Sequence, residues 1–415
     1  LFASARDLEI HEVLDLLPSE VSTTLRGIKG NGILQLSSRI SGMVSATLAP
    51  KIEADFQTSN ANLSWDKLPF SLRKLHLSGS YSNGGEFNPV TATLSIESLH
   101  AVIGTDHLSL NGRIHNFYDP DFAFKLKGDI HPKQWLQWYD EIPLNESRGV
   151  IYSDISVSGS YDRLKPKGQR FLAFDFAGGL SLEDVMFRIH KEDMAFTDLN
   201  GTIHIANDFW EPSLSGSFGK SNFSFSGSGL NLLSYLMKKE ESLVASGNLR
   251  TNKLDLQEYI LTFSRAEKER TGSIFFPGRL SLKLDFVIDE FEMKRFHASH
   301  VRGVATYDSP VLLVDSLTMQ TMGGTLKGDL GMAQDLTGDI AVNVHAGLYN
   351  LDIKSLFFSF ISFGQSQITD EHIKGSISGK SAFSDVFDYT FSIRKVSIFS
   401  EKSISFEHGV LNWFD

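Results

Sequence analysis

The chain of 415 residues contains no cysteine. This absence excludes thiol catalysis, disulfide bonds and every zinc or iron–sulfur site built on cysteine ligands. A cysteine-free chain suits an oxidising compartment but does not identify one. The chemistry available to this protein therefore rests on its other side chains.

Basic residues and long apolar runs are also scarce. Lys and Arg total 39 against 50 Asp and Glu, a net charge of −11, which argues against nucleic acid as a partner because such binding neutralises phosphates with basic side chains. No stretch reaches the ~20 apolar residues needed to cross a bilayer. The chain begins at Leu1 without a methionine or a signal-peptide pattern, so we expect a fragment of a longer protein and leave membrane attachment open.

Strict alternation of apolar and polar residues is the dominant pattern along the chain. "LHLSGSY" (75–81), "LSLNGRI" (108–114), "FKLKGDI" (124–130), "ISVSGSY" (155–161) and "LVASGNL" (243–249) are examples. Such alternation is typical of antiparallel sheets with one wetted face. We therefore predict a mostly β protein in which one apolar face of a curled sheet lines a groove. The candidate lining residues are Leu75, Leu77, Leu108, Leu110, Phe122, Phe124, Leu126, Ile130, Phe223, Phe225, Leu282, Leu284, Phe286, Ile288, Ile340, Val342 and Val344.

Glycine recurs inside the apolar rows of these strands. Gly79, Gly112, Gly159 and Gly247 occupy equivalent places in the quoted phrases, although their spacing follows no fixed repeat. A glycine within a strand marks a bulge, a bend or the close approach of another group. Two interpretations follow: the glycines let the sheet curl, or the curled sheet also leaves room for a guest molecule.

Short helical patterns interrupt the strands. Apolar residues at helical spacing predict helices at 7–20, 133–142, 229–241, 255–269 and 352–360. We expect each helix to cap or plug the β framework. The segment "LFFSFISF" (356–363) is predicted to pack in the core, with a groove plug or a membrane contact as the alternative.

No motif supports catalysis or cofactor binding. "GSFGKS" (216–221) and "GSISGKS" (375–381) lack the leading glycine of a phosphate-binding loop and open no helix. His297 and His300 are predicted to be surface residues, which in a strand would project to opposite faces. We therefore predict a protein that is not an enzyme and has no catalytic residue, no metal site and no cofactor.

Residues 311–383 resemble the AsmA-like family of Gram-negative envelope proteins, in its Bacteroidota-like form. The resemblance is carried by "GGTLKG" (323–328), "LDIKSLF" (351–357) and the run from "FGQ" (363–365) to "HIKGSISG" (372–379). Residues 196–236 and 246–260 have the same style. Together these stretches make 171–395 the clearest part of the resemblance.

The resemblance implies a long periplasmic β-groove, often compared to a taco, behind an inner-membrane anchor at the N-terminus. Residues 1–30 would then be a helical lead-in after the anchor, and residues 31–415 a continuous β-groove region. The implied function is the movement of phospholipid between inner and outer membranes in support of outer-membrane integrity. The implied partners are phospholipid acyl chains, the inner membrane and an outer-membrane protein.

Two alternatives remain open. The chain could be a structural scaffold or assembly factor for outer-membrane biogenesis, with its apolar faces closed against each other as a core. It could also act on envelope polymers, which would require convergent carboxylates or a metal site. Lipid identity, transport direction and energy source do not follow from the sequence.

Overall fold

The computed structural model describes residues 2–10, 12, 27–43, 49–66, 70–135, 144–161, 171–189, 195–232, 235, 242–256, 278–335, 340–364, 369–387, 393–399 and 405–411. The predicted fold class is confirmed, because the described chain is mostly β with short helices. The chain divides into two compact units. Unit 1 comprises Leu1–Pro143, Ser147–Val185 and Thr202–Asn207, and unit 2 comprises Leu144–Glu146, Met186–Gly201 and Asp208–Asp415.

The described residues form 22 strands, two α-helices and one 3₁₀ helix. The strands are β1 (Phe2–Glu9), β2 (Ile28–Asn31), β3 (Ile33–Ser41), β4 (Lys51–Trp65), β5 (Ser71–Ser82), β6 (Thr93–Ile103), β7 (Asp106–His115), β8 (Asp121–Ile130), β9 (Leu144–Tyr161), β10 (Phe171–Ile189), β11 (Ala195–Ala206), β12 (Phe209–Phe218), β13 (Ser221–Leu230), β14 (Leu243–Asp255), β15 (Leu280–Met293), β16 (Phe296–Asp308), β17 (Val311–Thr321), β18 (Gly324–Gln334), β19 (Ile340–Asp352), β20 (Ile373–Phe387), β21 (Ile393–Phe399) and β22 (Ser405–Leu411). The helices are α1 (Pro132–Trp135), α2 (Ile353–Ser359) and the 3₁₀ helix Ile361–Gly364.

In each unit the strands form an open, curled sheet with an antiparallel meander. In unit 1, β1 pairs with β3, and successive antiparallel pairs lead from β3 to β9, while β2 pairs with the far part of β4. In unit 2, antiparallel pairs join β12 to β14 and β15 to β20, and both β21 and β22 pair with β20. The five quoted phrases that predicted strands all fall within strands, namely β5, β7, β8, β9 and β14.

One pair of neighbours departs from the antiparallel prediction. β14 and β15 pair in parallel, with Leu249 opposite Phe286 and Ala245 opposite Leu282. Parallel neighbours need a connection of a dozen or more residues, and residues 256–279 supply that length. Alternation within a strand is the same for either orientation, so the sequence pattern could not reveal this pair.

The predicted helices are confirmed only in part. Helix α2 lies within the predicted 352–360 segment, and α1 overlaps the start of the 133–142 segment. The prediction of a helical lead-in is wrong at its beginning, because residues 2–9 form strand β1, which completes the second edge of β3; Ile10 and Glu12 are helical. Residues 229 and 230 likewise end strand β13. Residues 13–20, 136–142, 236–241 and 257–269 of the remaining predictions lie outside the described residues.

Each unit packs its core near one end of its strands. In unit 1, Ile10, Ala61, Leu75 and Ala101 form a buried cluster close to the turn that joins β6 to β7. In unit 2, one cluster around Phe296 and Val301 adjoins the turn that joins β15 to β16, and a second around Leu351 and Ile353 lies under α2. The helices therefore cover the packed ends, as a capping role predicts.

Candidate functional site

The apolar side chains of unit 1 line up directly opposite one another across successive strands. One such row contains Leu77, Leu99, Leu110, Leu126 and Ile155, each of which is the register partner of the next. All five are half-buried. Four strand spacings of about 4.8 Å make this row roughly 19 Å long. The row therefore provides a continuous apolar strip that crosses five strands and is incompletely covered.

Unit 2 repeats this arrangement on a larger scale. One row crosses eight strands, and every member is apolar or glycine: Trp210, Gly229, Ala245, Leu282, Tyr307, Leu312, Met332 and Val342. The next row includes Leu284, Ala305, Val314, Leu330 and Val344. Seven spacings extend the eight-strand row over about 34 Å.

A cavity follows a third row of unit 2. Its lining includes Leu214, Phe225, Leu249, Phe286 and Gly303, which are successive register partners from β12 to β16. The cavity volume is about 890 Å³, within the range of 300–1,000 Å³ that is typical of small-molecule sites. The lining extends from Gly201 on β11 to Ser316 on β17, and six spacings between these strands give a length of roughly 29 Å.

Glycines in the rows lie beneath aromatic rings of the neighbouring strand. A β-carbon at Gly112 would come 2.5 Å from Phe124 Cδ1, and one at Gly303 would come 3.1 Å from Phe286 Cζ. Within the row that contains Leu284, Gly227 and Gly247 face each other, and a β-carbon on Gly247 would come 2.7 Å from Gly227 Cα. These glycines therefore permit ring–backbone and backbone–backbone contacts that any side chain would prevent.

The seventeen predicted lining residues all lie on strands, at two levels of burial. Not every one has apolar partners, because Phe223 and Ile288 are both register partners of Thr251, and Ile340 is the partner of Gln334. Leu75, Ile288, Ile340 and Val342 are buried. Thirteen are half-buried: Leu77, Leu108, Leu110, Phe122, Phe124, Leu126, Ile130, Phe223, Phe225, Leu282, Leu284, Phe286 and Val344. Leu75 and Ile288 belong to the packed clusters, so they support the sheet and line little open surface.

Several row members were missed in the sequence prediction. Leu99, Ile155, Leu249 and Leu330 are register partners of predicted residues. Leu249 closes the phrase "LVASGNL", and each of the others alternates with polar neighbours in its own strand. The same period-2 pattern would have found them. Which of them share a row depends on strand register and could not have been found that way.

The opposite face of the sheet is polar and solvated. On β8, Lys125 and Lys127 alternate with Phe124 and Leu126, and their Nζ atoms lie 3.4 Å and 2.7 Å from the Asp154 carboxylate on β9. The hydrogen bond from Lys127, assisted by Lys125, holds the pKa of Asp154 below its usual value. Exposed ion pairs of this kind contribute little to stability, and they keep this face compatible with water.

Side chains that could hold a metal ion do not converge in the described residues. There, no cluster of three or more His, Asp or Glu side chains could hold a metal ion. Gly219 and Lys220 form the tight turn between β12 and β13, and Gly379 lies within β20, so neither phosphate-loop lookalike opens a helix. These segments act as sheet elements.

The two histidines of "RFHASH" are surface residues, as predicted. Both His297 and His300 are exposed on β16. The expectation that they project to opposite faces is wrong, because the register with β17 shifts between Ser299 and Arg302 and His300 has a φ of 52°. This bulge returns both rings to the exposed side. His297 Nδ1 lies 3.7 Å from Glu292 Oε1.

A buried carboxylate in unit 1 has a structural partner set. Asp106 is 2% exposed, its Oδ1 lies 2.6 Å from His131 Nδ1, and its Oδ2 accepts a 3.2 Å hydrogen bond from the His131 main-chain N–H. Gln134 Nε2 also donates to Oδ1. Because these partners lie at the start of α1, Asp106 fixes that helix against the turn between β6 and β7.

Among the described helices, none is both long and apolar enough to cross a bilayer. Comparison with known proteins gives no match: no family model, no curated protein and no solved structure is significantly similar to this chain.

Proposed function

We propose that this chain is a non-enzymatic lipid-binding module whose apolar rows hold acyl chains while it carries phospholipid through an aqueous compartment. The observation that supports this proposal is the set of apolar rows that cross five to eight strands without a polar interruption. The five-strand row of unit 1 is half-buried throughout, whereas the eight-strand row of unit 2 is buried at Ala245, Tyr307 and Val342 and half-buried at Leu282, Leu312 and Met332. A monomeric sheet exposes such a strip at a free-energy cost unless something covers it.

An acyl chain fits this requirement. Exposing ~16 methylene groups to water costs roughly 12 kcal/mol at about 0.8 kcal/mol per group, and contact with a row of Leu, Phe and Val offsets much of that cost. Dispersion and hydrophobic contact need no exact side-chain identity. This tolerance is consistent with rows of changing composition.

The likeness of residues 311–383 to AsmA-like proteins supplies the biological setting of the proposal. In that setting the chain works in the periplasm of a Gram-negative envelope, behind an inner-membrane anchor. It transfers phospholipid between the inner and outer membranes, with an outer-membrane protein as the receiving partner. No cofactor or nucleic acid takes part.

The scaffold alternative also has an observation in its favour. The buried clusters around Leu75 in unit 1 and around Val301 in unit 2 show that part of each apolar face is closed as a core. If the rows were closed along their whole length, the chain would serve as an assembly factor for the outer membrane and would carry no lipid.

Photo-crosslinking distinguishes these two functions. A photoreactive residue at Leu126 or at Phe286 faces the apolar row, and one at Lys125 or Lys283 lies on the opposite face of the same strand one or three positions away. Each variant is purified without harsh detergent after expression in a Gram-negative host, and its adducts are identified by mass spectrometry. Phospholipid adducts at Leu126 and Phe286 but not at the two lysine positions would support the groove. An absence of adducts at all four positions would favour the scaffold.

A further inference from the structure

Helix α2 of unit 2 has one face built into the core. Ile353 is 1% exposed and packs with Leu351, Ile373 and Ile377. Leu356 and Phe357 are packed against the same cluster. Asp352 caps the helix, since its Oδ1 accepts a 2.7 Å hydrogen bond from Ser355 N. The helix is therefore held rigidly at the end of the sheet.

The other face of α2 and the start of the 3₁₀ helix are apolar and open to solvent. Phe358 is 48% exposed, Phe360 42% and Ile361 60%; these three side chains are called the apolar tip. Ile361 and Ser362 both have a φ of 51°, a left-handed conformation that is rare for a β-branched residue. Such outliers persist only where the surroundings impose them, and Ser362 is buried.

Neighbouring side chains hold the rings of the apolar tip in place. Arg295 Cζ lies 5.0 Å from the centre of the Phe358 ring. The Phe360 ring centre lies 5.8 Å from that of Phe296, which belongs to a buried cluster. The open rings are thus supported from behind, and solvent meets a preformed surface.

The charged residues that accompany the apolar tip are basic. In the turn at 294–295 and in 353–362 they are Lys294, Arg295 and Lys354, and all three are exposed. Asp352, next to this segment, is engaged by Ser355. Asp370 and Glu371 precede β20 at the same end of the sheet and offset part of this positive charge. We therefore expect the apolar side chains to dominate the contact and the basic residues to make a smaller contribution.

We propose that the apolar tip docks on the surface of an anionic phospholipid bilayer. Aromatic and aliphatic side chains flanked by Lys and Arg are the composition of elements that lie in the membrane interface, where the rings enter the acyl boundary and the cations meet lipid phosphates. Three half-exposed large side chains offer roughly 250 Å², well short of the ~800 Å² per partner of a stable protein interface. A bilayer requires no such minimum area.

Vesicle sedimentation tests the docking with the whole chain. The probes are vesicles of phosphatidylcholine alone and of phosphatidylcholine with phosphatidylglycerol. The wild-type chain is expected to sediment with the anionic vesicles, and the double variant Phe358→Ser/Ile361→Ser to bind them about tenfold or more weakly. The matched control is Phe209→Ser/Leu230→Ser, which removes a cross-strand pair of exposed apolar residues, 40% and 46% exposed, elsewhere in unit 2.

Three outcomes would overturn the docking proposal. They are wild-type chain that stays in the supernatant, a tip variant that binds as wild type does, and a control variant that loses as much binding as the tip variant. Equal binding to both vesicle types would overturn the requirement for anionic lipid.

A labelling experiment keeps the proposal testable should the serine variants fold poorly. Because the chain has no cysteine, Ile361→Cys carries an environment-sensitive fluorophore at one position, and Leu230→Cys is the matched control. Anionic vesicles should shift the emission to the blue at position 361 only. An equal shift at position 230, or no shift at 361, would contradict docking through the apolar tip. Crosslinking at Phe286 is read separately, so loss of the groove and loss of the tip give different results.

Discussion

Phe56 on β4 and Gly79 on β5 are direct register partners, and the phenyl ring occupies the space that a side chain at Gly79 would need. A β-carbon there would come closest to the Ser95 main-chain oxygen on β6 and would lie 2.6 Å from Phe56 Cζ. These two contacts explain the glycine within "LHLSGSY": the absence of a side chain lets the main chain of one neighbouring strand and the ring of the other approach closely. This close approach supports the interpretation that the glycines let the sheet curl.

Substitution of Gly79 by alanine should destabilise unit 1. Alanine in a strand is ordinarily better than glycine by about 0.5–1 kcal/mol, so the steric clash reverses the usual sign. Overpacking of this kind costs about 1–3 kcal/mol, measured as the free energy of unfolding in urea. The matched control is Gly85→Ala, because no atom lies within 4 Å of a β-carbon built there. Equal stabilities of the two variants would refute the close approach of Ser95 O and the Phe56 ring to Gly79.

Leu75 and Leu126 should respond differently to truncation. Leu75 is 2% exposed in the packed cluster of unit 1, so Leu75→Ala is expected to cost about 3 kcal/mol. Leu126 is half-buried in the open row, and Leu126→Ala should cost only about 1 kcal/mol. Chemical denaturation of both variants checks the difference. A similar large loss at both positions would mean that the row is closed, as in the scaffold alternative.

Asp129 should make the stability of unit 1 depend on pH. Burial would raise the pKa of this carboxyl group, but it is outweighed by hydrogen bonds from His107, whose main-chain N–H donates to Oδ1 at 2.7 Å, so the pKa lies below its ordinary value of 3.8. A lowered pKa contributes stability above pH 3.8 that disappears as the pH falls through the folded-state pKa.

Asp129→Asn is therefore expected to lower the free energy of unfolding by about 1 kcal/mol at pH 7. The variant and the wild-type chain should converge in acid. Asp121→Asn is the control on the same strand, since the Asp121 side chain is 64% exposed and 4.0 Å from its histidine partner. A difference between Asp129→Asn and wild type that stays constant down to the acid limit would contradict the assigned pKa shift.

The cap of α2 should control the rigidity of the apolar tip. Asp352→Ala removes the carboxylate that accepts hydrogen bonds from Ser355 N and Ser355 Oγ, at an expected cost of about 1 kcal/mol. Amide hydrogen exchange across 353–359 should become faster, and vesicle binding should weaken with it. Ser355→Ala is the matched control, because it removes only the hydroxyl and keeps the main-chain hydrogen bond. Unchanged exchange in Asp352→Ala would show that core packing alone holds the helix.

Local residue patterns were sufficient to predict most strands and to tell the apolar face of a strand from its solvated face. The alternation in "FKLKGDI" predicted which side chains of β8 are apolar and which are solvated, because successive side chains of a strand point to opposite faces. The same logic failed at His300, where a bulge inserts an extra residue. The helical pattern at 7–20 failed at its start, because residues 7–9 belong to β1, which pairs with β3.

The sequence by itself determined a mostly β chain with one apolar face, since a period of two is written residue by residue. Only the tertiary structure decided which residues share a row, that β14 and β15 run parallel, and that Leu75 is packed while Leu126 stays half-open. It also decided that α2 buries Ile353 and exposes Phe358. These properties depend on register and on neighbours far apart in the chain, and burial is set by those neighbours.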